Sequence, residues 1–403
     1  MDIITGNAVV GENYLSTRKF LVDDLRDYLL KGKSVLIDSP RRFGKTSVIK
    51  ELAFQEESQN NIKVLFLDIE SEKTVVAFCK AFFRKALSLF PTKERNERLK
   101  TFFGDTWNMI AGRVKKIGGH EFELELSEKT RDYDFEKWKE VINALLSGRP
   151  TGGEKVVFAF DEFPDLILSL KENADSAADF TREADSLLAW LRSLRQESGQ
   201  HTFVFCGSIN LNYTLDAISA RHRINDLERL VVPVMDKGET EKLLATLFSS
   251  IDINVEPAAM EFLSGICMGG PPYYGQIVAK EFKSGRVKSI DVETAMGLVD
   301  NMICGENHDL RHLRTRMNKL FSSSELMVAK LILKALCGAE AMPEKRIYDE
   351  YISGKCDYEL FAAILGRLTH EGYVMREPEA GGGIRFVSPL FKKWWASKEE
   401  SRQ

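Results

Sequence analysis

The sequence predicts an α/β fold: a parallel sheet with helices on both faces, followed by a helical lid domain and a winged-helix-like C-terminal domain. Short apolar runs alternate with segments of helical periodicity as far as Val234. Such alternation is typical of a parallel sheet covered by helices. From Lys237 onward the periodicity is mainly helical. The chain then closes with three predicted helices and a predicted hairpin.

Four apolar runs bounded by turn or polar residues predict the strands of this sheet. They are Ser34–Asp38, Ile62–Asp68, Lys155–Phe160 and Thr202–Cys206. Apolar residues at helical spacing predict helices between them. These helices are Lys45–Gln55, Thr74–Leu89 and Arg182–Glu197. The segment 91–149 is charged and weakly patterned, and we interpret it as an insertion between the second and third strands.

Changes in periodicity predict three domains along the chain. Their predicted ranges are 1–236, 237–320 and 321–403. The middle domain is interrupted by the sequence GGPPYYG at Gly269–Gly275, which breaks a helix. In the last domain, Ser322 and Glu325 have the spacing of a capping box ahead of an apolar helix. The strands Tyr373–Arg376 and Ile384–Ser388 then flank a glycine-rich turn, which completes the winged-helix pattern.

Composition excludes several classes of protein. Hydrophobic residues make up 44% and charged residues 29%, as in a globular protein with a substantial core. The net charge is -4, so no overall basic excess favours nucleic acid. The sequence contains no run of about 18 apolar residues, so no membrane span is predicted. The N-terminus lacks the pattern of a signal peptide. The six scattered cysteines favour reduced thiols. We therefore expect a cytoplasmic protein without a membrane partner.

The segment SPRRFGKTS follows a predicted strand and opens a helix, as a phosphate-binding loop requires. Gly44 lets the backbone approach phosphates, and the helix N-terminus faces their charge. Lys45 can reach the β- and γ-phosphates, and the Thr46 hydroxyl can bind Mg²⁺. Ser39 departs from the strict motif, which has glycine there; a small residue suffices if the turn needs no positive φ. The predicted nucleotide contacts in the loop are Pro40, Arg41, Arg42, Phe43, Gly44, Lys45, Thr46 and Ser47.

A pair of carboxylates ends the third predicted strand. Asp161 and Glu162 follow the apolar run VVFAF. An aspartate at this edge of the sheet can hold Mg²⁺ beside the phosphate-binding loop. The adjacent glutamate can polarise a water molecule that attacks the γ-phosphate, as a general base. The loop and the carboxylates together predict nucleotide hydrolysis.

Two weaker signals lie further along the chain. Ser208 and Asn210 follow the fourth strand, where they can hydrogen-bond the attacking water or the γ-phosphate; a plain Gly-Ser turn is an equal alternative. The run Arg221–Arg223 is cationic, and Arg223 can offset charge on the transferred phosphoryl group. A solvated surface helix explains the same run, so both interpretations stay open.

Over nearly its whole length the sequence resembles P-loop ATPases of archaeal and bacterial type, between AAA+ proteins and the signal-transduction ATPases with numerous domains (STAND). The resemblance is carried by GENYLSTRKFLVDDL, PRRFGKTS, KVLFLDIES, FAFDEFPDLI, FVFCGSINLN, INDLERLVVPV, GGPPYY and the winged-helix-like tail. It implies a P-loop NTPase sheet as the fold. It also implies ATP or ADP and Mg²⁺ as ligands.

The resemblance assigns roles to individual residues. Lys45 and Thr46 match the Walker A pair, and Asp161 and Glu162 match the Walker B pair. The remaining matches are Ser208 and Asn210 at the sensor position, Gly270 and Pro272 on the Gly-x-Pro turn near nucleotide, and Arg18 on the adenine side. The resemblance therefore implies a slow ATPase that acts as a nucleotide-gated switch.

The partner of this switch is left open by the sequence. Residues 321–403 contain 12 Lys+Arg and 12 Asp+Glu. A reader of duplex DNA needs a basic face, so we favour a protein partner or self-association over DNA. A DNA-associated ATPase, using the winged helix to bind duplex, is the second hypothesis. A non-catalytic scaffold with a structural nucleotide is the third.

His308 and His312 are four residues apart, which places both imidazoles on one face of a helix. Without a third well-placed ligand this spacing does not predict a metal site. We interpret the stretch HDLRHLRTRM as a basic helix that links the second and third domains.

Overall fold

The computed structural model of the chain describes residues 1–103, 126–147, 154–197, 201–207, 211, 215, 220–285, 287–305, 307–377 and 382–400. A parallel sheet of five strands lies in its N-terminal part, in the order β2-β3-β4-β1-β5. The strands β1 to β5 are Val35–Ile37, Ile62–Asp68, Lys155–Asp161, His201–Cys206 and Glu228–Leu230. The predicted parallel sheet is confirmed, and a fifth strand is added at one edge. Because β4 lies between β1 and β3, their carboxyl ends meet around it.

Helices cover both faces of the sheet, as predicted. They are α1 Lys19–Leu30, α2 Lys45–Gln59, α3 Val75–Leu87, α4 Thr92–Phe103, α5 Phe135–Ser147, α6 Phe163–Asn173 and α7 Ala177–Glu197. Alternate residues of each strand face opposite layers. Val157 and Ala159 belong to the core shared with α1 and α2, whereas Phe158 and Phe160 belong to the core shared with α3, α5, α6 and α7.

The segment 91–149 lies between β2 and β3, and its described residues include two helices, α4 and α5, that were not predicted from the sequence. Buried residues of α5 include Trp138, Val141, Ile142 and Leu145, at spacings of three, four and seven. This is the spacing of a helix with one apolar face. The face packs against α3, and Trp138 lies 5.5 Å from Phe83 between ring centroids. The apolar face of α5 was not recognised in the sequence because charged residues lie between these apolar positions.

The rest of the described chain is mainly helical, in agreement with the predicted helical C-terminal region. Its helices are α8 Lys237–Ser250, α9 Pro257–Cys267, α10 Pro272–Ser284, α11 Val292–Cys304, α12 His308–Leu320, α13 Ser323–Cys337, α14 Glu344–Ile347, α15 Tyr358–His370 and α16 Pro389–Glu400, with a π-helical turn at Tyr348–Ile352. Two small sheets accompany them: parallel β6 Asn254–Val255 with β7 Ser289–Ile290, and antiparallel β8 Val374–Arg376 with β9 Ile384–Phe386.

Local capping fixes several of these helices. Ser322 and Glu325 form the predicted capping box at the start of α13. The carboxylate of Asp357 caps α15 by accepting a hydrogen bond from the Leu360 N–H. Three helices and the β8–β9 hairpin therefore occupy residues 323–386, and α16 follows them. We call the chain from α13 to α16 the C-terminal unit, and its assignment to the winged-helix class stays a prediction.

The apolar core is continuous from the sheet into the C-terminal helices. One cluster of buried residues contains Leu21, Val48, Leu243, Ile332 and Trp395. These residues come from α1, α2, α8, α13 and α16 respectively. Within the described ranges, no helix is both long and apolar enough to cross a lipid bilayer.

Candidate functional site

The loop between β1 and α2 has the backbone geometry of a phosphate-binding loop. Gly44 stands directly before α2 with φ 97°, and Arg42 has φ 70°. A φ of 97° is readily adopted only by glycine, so the backbone conformation here accounts for the glycine at position 44. Ser39 is not among the residues with positive φ in the described chain. Its hydroxyl accepts a hydrogen bond from the Val232 N–H at 2.6 Å, so a small polar residue suits this position.

Lys45 is buried at the first turn of α2. Its ammonium donates hydrogen bonds to the carbonyl oxygens of Ser39 and Pro40, at 2.7 and 2.9 Å. Burial lowers the pKa of Lys45, and the nearby carboxylates of Glu162 and Asp161 oppose that change. The side chain is therefore held against its own loop, at the place where phosphate oxygens would compete with the two carbonyls.

The carboxylate of Asp161 is the centre of a small buried network at the tips of β3 and β4. Thr46 Oγ1 donates to its Oδ2 at 2.7 Å, and the Cys206 thiol donates to its Oδ1 at 2.8 Å. Burial raises the pKa of Asp161, and the hydrogen bonds from Cys206 and Thr46 oppose this rise. The structure thus brings together Thr46 and Asp161, the two residues predicted to hold Mg²⁺.

Glu162 begins a sharp turn between β3 and α6. It has φ 57° and its backbone carbonyl accepts a hydrogen bond from the Asp165 N–H at 3.0 Å. Burial, the charge of Glu162 and a hydrogen bond to it raise the pKa of Asp165 to about 8. Asp165 therefore retains its proton at neutral pH, next to the carboxylate of Glu162. Glu162 lines the cavity described next.

A cavity of about 470 Å³ lies over the loop, a volume typical of small-molecule sites. One wall is formed by the predicted loop contacts from Arg41 to Ser47, together with Glu162. The N-terminal residues 4–9 form a second wall, and Pro272 and Tyr273 of α10 a third. Residues of α12 complete the lining. Two of these walls, the N-terminal segment and α12, were not predicted from the sequence.

Arg18 lines the cavity although its side chain is almost fully buried. Its guanidinium donates to the carbonyl oxygen of Pro233 at 2.8 Å and lies 3.4 Å from a carboxylate oxygen of Glu239. A longer hydrogen bond of 3.4 Å reaches the carbonyl oxygen of Phe43 in the loop. Arg18 therefore ties the loop to the start of α8.

Some predicted residues lie apart from the cavity. Arg223 forms a two-pronged ion pair with Asp185 of α7, both contacts at 2.8 Å, and it does not line the cavity. An ideal Cβ on Gly270 would lie 2.9 Å from the Val387 carbonyl oxygen, so Gly270 packs against the C-terminal unit while Pro272 lines the cavity. Ser208 and Asn210 lie outside the described residues.

The C-terminal unit contacts the phosphate-binding loop directly, a contact that the sequence did not predict. The Arg41 N–H donates to the carbonyl oxygen of His370 at 2.9 Å. An ideal Cβ on Gly372 would lie 3.1 Å from the Arg41 carbonyl oxygen. Burial, with Lys45 nearby, lowers the pKa of His370 to about 4. The turn 369–372 therefore packs on the loop, and we call it the docking turn.

His308 and His312 line the cavity from α12. Among the described residues, no group of three His, Cys, Asp or Glu side chains is arranged to hold a metal ion.

Comparisons with known proteins address the fold. Protein-family models give no match to this chain, and curated proteins give none either. Among solved structures, the chain is similar to the Walker-type ATPase PABY2304 of Pyrococcus abyssi, with 14% identity and a TM-score of 0.56, over 98% of this chain and 100% of that one. The chain has the fold of a P-loop ATPase.

Two further solved structures are similar at lower scores. The ORC2 protein of Aeropyrum pernix shares 14% identity over 97% of each chain, with a TM-score of 0.48. The RuvB Holliday junction branch migration motor of Thermotoga maritima shares 13% identity over 96% of each chain, with a TM-score of 0.41. The assignment of the fold rests on the first comparison, and it confirms the fold that the resemblance implied.

Proposed function

We propose that the chain is a molecular switch that binds Mg·ATP and hydrolyses it slowly. The observation that carries this proposal is the pairing of Thr46 with Asp161 beside Lys45, at one end of a cavity of nucleotide size. A hydroxyl and a carboxylate are oxygen ligands of the kind that Mg²⁺ prefers. These two side chains therefore fit the metal, which when bound neutralises charge on the phosphates.

The remaining residues of the site have complementary roles in this proposal. The Lys45 ammonium exchanges the carbonyl oxygens of Ser39 and Pro40 for phosphate oxygens, and the amides at the start of α2 add further donors. Glu162 polarises the attacking water as a general base. Burial and the neighbouring Glu162 raise the pKa of Asp165 to about 8, so this carboxyl adds little negative charge near the place where a polyanion must bind.

The docking turn supports a switch over a simple hydrolase. Its His370 carbonyl occupies the Arg41 N–H of the phosphate-binding loop, so a change in loop conformation on nucleotide binding acts on the C-terminal unit. Glu371 of the same turn is paired with Arg316 of α12 at 2.7 Å. The turn is thus held from both sides, by the loop and by a wall of the cavity.

We favour a protein partner or a second copy of the chain over duplex DNA. Four arginines of the C-terminal unit are already paired with carboxylates: Arg346 with Glu350, Arg367 with Glu325, Arg376 with Glu344 and Arg385 with Glu377. Phosphate contacts would have to replace these ion pairs, which reduces the gain from counterion release. A duplex-binding measurement across salt concentrations tests this; an affinity that falls steeply with salt would favour the DNA-associated alternative.

Nucleotide binding and turnover test the proposal itself. We expect Lys45→Ala to abolish nucleotide binding, because the substitution removes the ammonium that replaces two loop carbonyls as phosphate partner. Glu162→Gln should keep binding and lose at least about a hundredfold in turnover, the usual contribution of a general base. Lys50→Ala is the matched control, since Lys50 is exposed on the same helix and outside the cavity lining.

Two results would contradict the assignments. Turnover of Glu162→Gln equal to that of the parent would exclude Glu162 as the base. Nucleotide that copurifies with the chain and is never hydrolysed would favour the scaffold alternative, and a chain that binds no nucleotide at millimolar concentration would contradict the switch.

A further inference from the structure

Helix α12 contributes polar residues to the lining of the cavity over the phosphate-binding loop. His308 and His312 lie one turn apart on one face of this helix, and both line the cavity. Asp309 also lines it, but its carboxylate accepts a hydrogen bond from the Lys280 ammonium at 2.8 Å. The carboxylate is therefore neutralised locally and does not oppose a bound anion.

Three arginines and His308 lie around His312. Arg41 and Arg42 face it from the phosphate-binding loop, and His308 and Arg316 from its own helix. Of these, Arg316 is paired with Glu371, and Arg42 lies 4.7 Å from the ring centroid of Tyr273. Partial burial, followed by these cations, lowers the pKa of His312. Positive charge therefore predominates around His312, although Glu371 balances Arg316 and the carboxylate of Glu162 lines the same cavity.

We propose that His308 and His312 form an anion-binding wall for the terminal phosphate of the bound nucleotide, and that this wall favours ATP over ADP. The proposal rests on the proposed function, because it assumes that phosphates occupy the cavity over Lys45. It assigns to the two histidines a role distinct from metal binding. Imidazole N–H groups donate hydrogen bonds to phosphate oxygens, and protonated imidazole does so more strongly.

Proton uptake is the chemical consequence of this arrangement. Without a ligand, the surrounding cations favour the neutral imidazole of His312. A polyphosphate brings several negative charges into the wall, so the ring takes up a proton from solvent as the nucleotide binds. ATP carries one more negative charge than ADP and should draw the larger uptake. The preference for ATP should therefore increase as the pH falls from about 8 to about 6, across the ordinary titration range of histidine.

Calorimetric titration of the full chain with Mg²⁺ and either AMP-PNP or ADP tests the proposal. AMP-PNP replaces ATP so that turnover does not interfere. Each titration is run at about pH 6 and about pH 8, in two buffers of different ionisation enthalpy, which reports the protons taken up. The variants are His308→Gln and His312→Gln. The matched control is His222→Gln, because His222 is an exposed histidine of the described chain that does not line the cavity.

We expect His312→Gln to weaken the binding of AMP-PNP roughly fivefold more than the binding of ADP, which corresponds to the loss of about one hydrogen bond to phosphate. In this variant, both the proton uptake on AMP-PNP binding and the pH-dependent preference for AMP-PNP over ADP should fall. His222→Gln should match the parent in both. His308→Gln should show a smaller change in the same direction. A merely structural role of His312 would lower both affinities equally and leave the proton uptake unchanged.

The outcomes separate this proposal from the proposed function. If the parent binds both nucleotides but the His312 variant keeps the parental preference and proton uptake, the anion-binding wall is wrong and the switch stands. If the parent binds neither nucleotide, the proposed function fails and the wall fails with it.

Discussion

The Cys206 thiol donates a hydrogen bond to Asp161 Oδ1 at 2.8 Å, while Thr46 donates to Oδ2 of the same carboxylate at 2.7 Å. Cys206 lies at the tip of β4, between the strand that leads into the phosphate-binding loop and the strand that ends in Asp161. Burial raises the pKa of the Cys206 thiol, so it stays protonated and remains a donor. Cys206 is therefore a positioning residue for the carboxylate that is proposed to hold Mg²⁺.

Replacing Cys206 by valine removes this donor from a buried carboxylate. We expect the Mg²⁺ concentration for half-maximal ATP turnover to rise about tenfold, since an unsatisfied buried acceptor costs about 1–3 kcal/mol. Cys206→Ser, which keeps a donor, should stay within about threefold of the parent in the same Mg²⁺ titration. Cys79→Val is the control for lost thiol volume in a buried site of α3. An unchanged Mg²⁺ requirement in Cys206→Val would show that the thiol does not position Asp161.

Substitution of Gly372 tests the docking turn. Gly372 and Gly354 both have positive φ, 72° and 80°, so alanine at either position strains the backbone by about 1 kcal/mol. Only at Gly372 would the added Cβ also press on the phosphate-binding loop, 3.1 Å from the Arg41 carbonyl oxygen; at Gly354 it meets nothing within 4 Å. We expect Gly372→Ala to release a fluorescent ADP analogue several-fold faster than the parent.

Gly354→Ala provides the matched control in the same stopped-flow measurement. It should release the analogue at the parental rate, although both variants lose similar stability. Equal release rates in the two variants would mean that the docking turn does not influence nucleotide exchange.

Stability should depend on pH through Asp165. Its pKa is raised from the ordinary 3.8 to about 8 in the folded chain, so the folded protein retains a proton that the unfolded chain releases. This contribution to stability is complete at acid pH, below the unfolded pKa, and is lost as the pH rises to about 8. Asparagine keeps a neutral donor at this position. The gain in Tm of Asp165→Asn over the parent should therefore grow from about pH 5 to about pH 8.

Thermal unfolding at these two pH values measures the effect of Asp165. Asp175→Asn is the control, because Asp175 is an exposed aspartate just beyond α6. A gain in Tm that is the same at both pH values would mean that the proton retained by Asp165 does not affect stability.

The sequence predicted the parts of this molecule that depend on neighbouring residues. Strands β1 to β4 and the loop before α2 follow from apolar runs, turn residues and the position of Gly44, all of which act locally. Strand β5 was missed because it is only three residues long and two of them, Glu228 and Arg229, are charged. It pairs with β1 at the sheet edge, where polar residues can face solvent.

The missed parts of the site depend on packing between distant segments. Arg41 and His370 are far apart in the sequence. No local pattern indicates that the Arg41 N–H donates a hydrogen bond to the His370 carbonyl oxygen. His312 lines the cavity because α12, which is distant from the loop in sequence, contributes to its lining. Cys206 was also missed as a site residue, although its position at the end of a buried strand, next to the predicted sensor residues, is visible in the sequence.

The continuous core described above joins helices from both ends of the described chain, from Leu21 in α1 to Trp395 in α16. Elements that share one core lose their packing together, so heat should unfold sheet and C-terminal helices in one cooperative transition. A ligand that binds only at the loop then stabilises every element in that unit. Amide protons in α13 and α16, which do not line the cavity, should exchange more slowly once nucleotide is bound. Hydrogen exchange in these helices therefore reports whether the cavity is occupied.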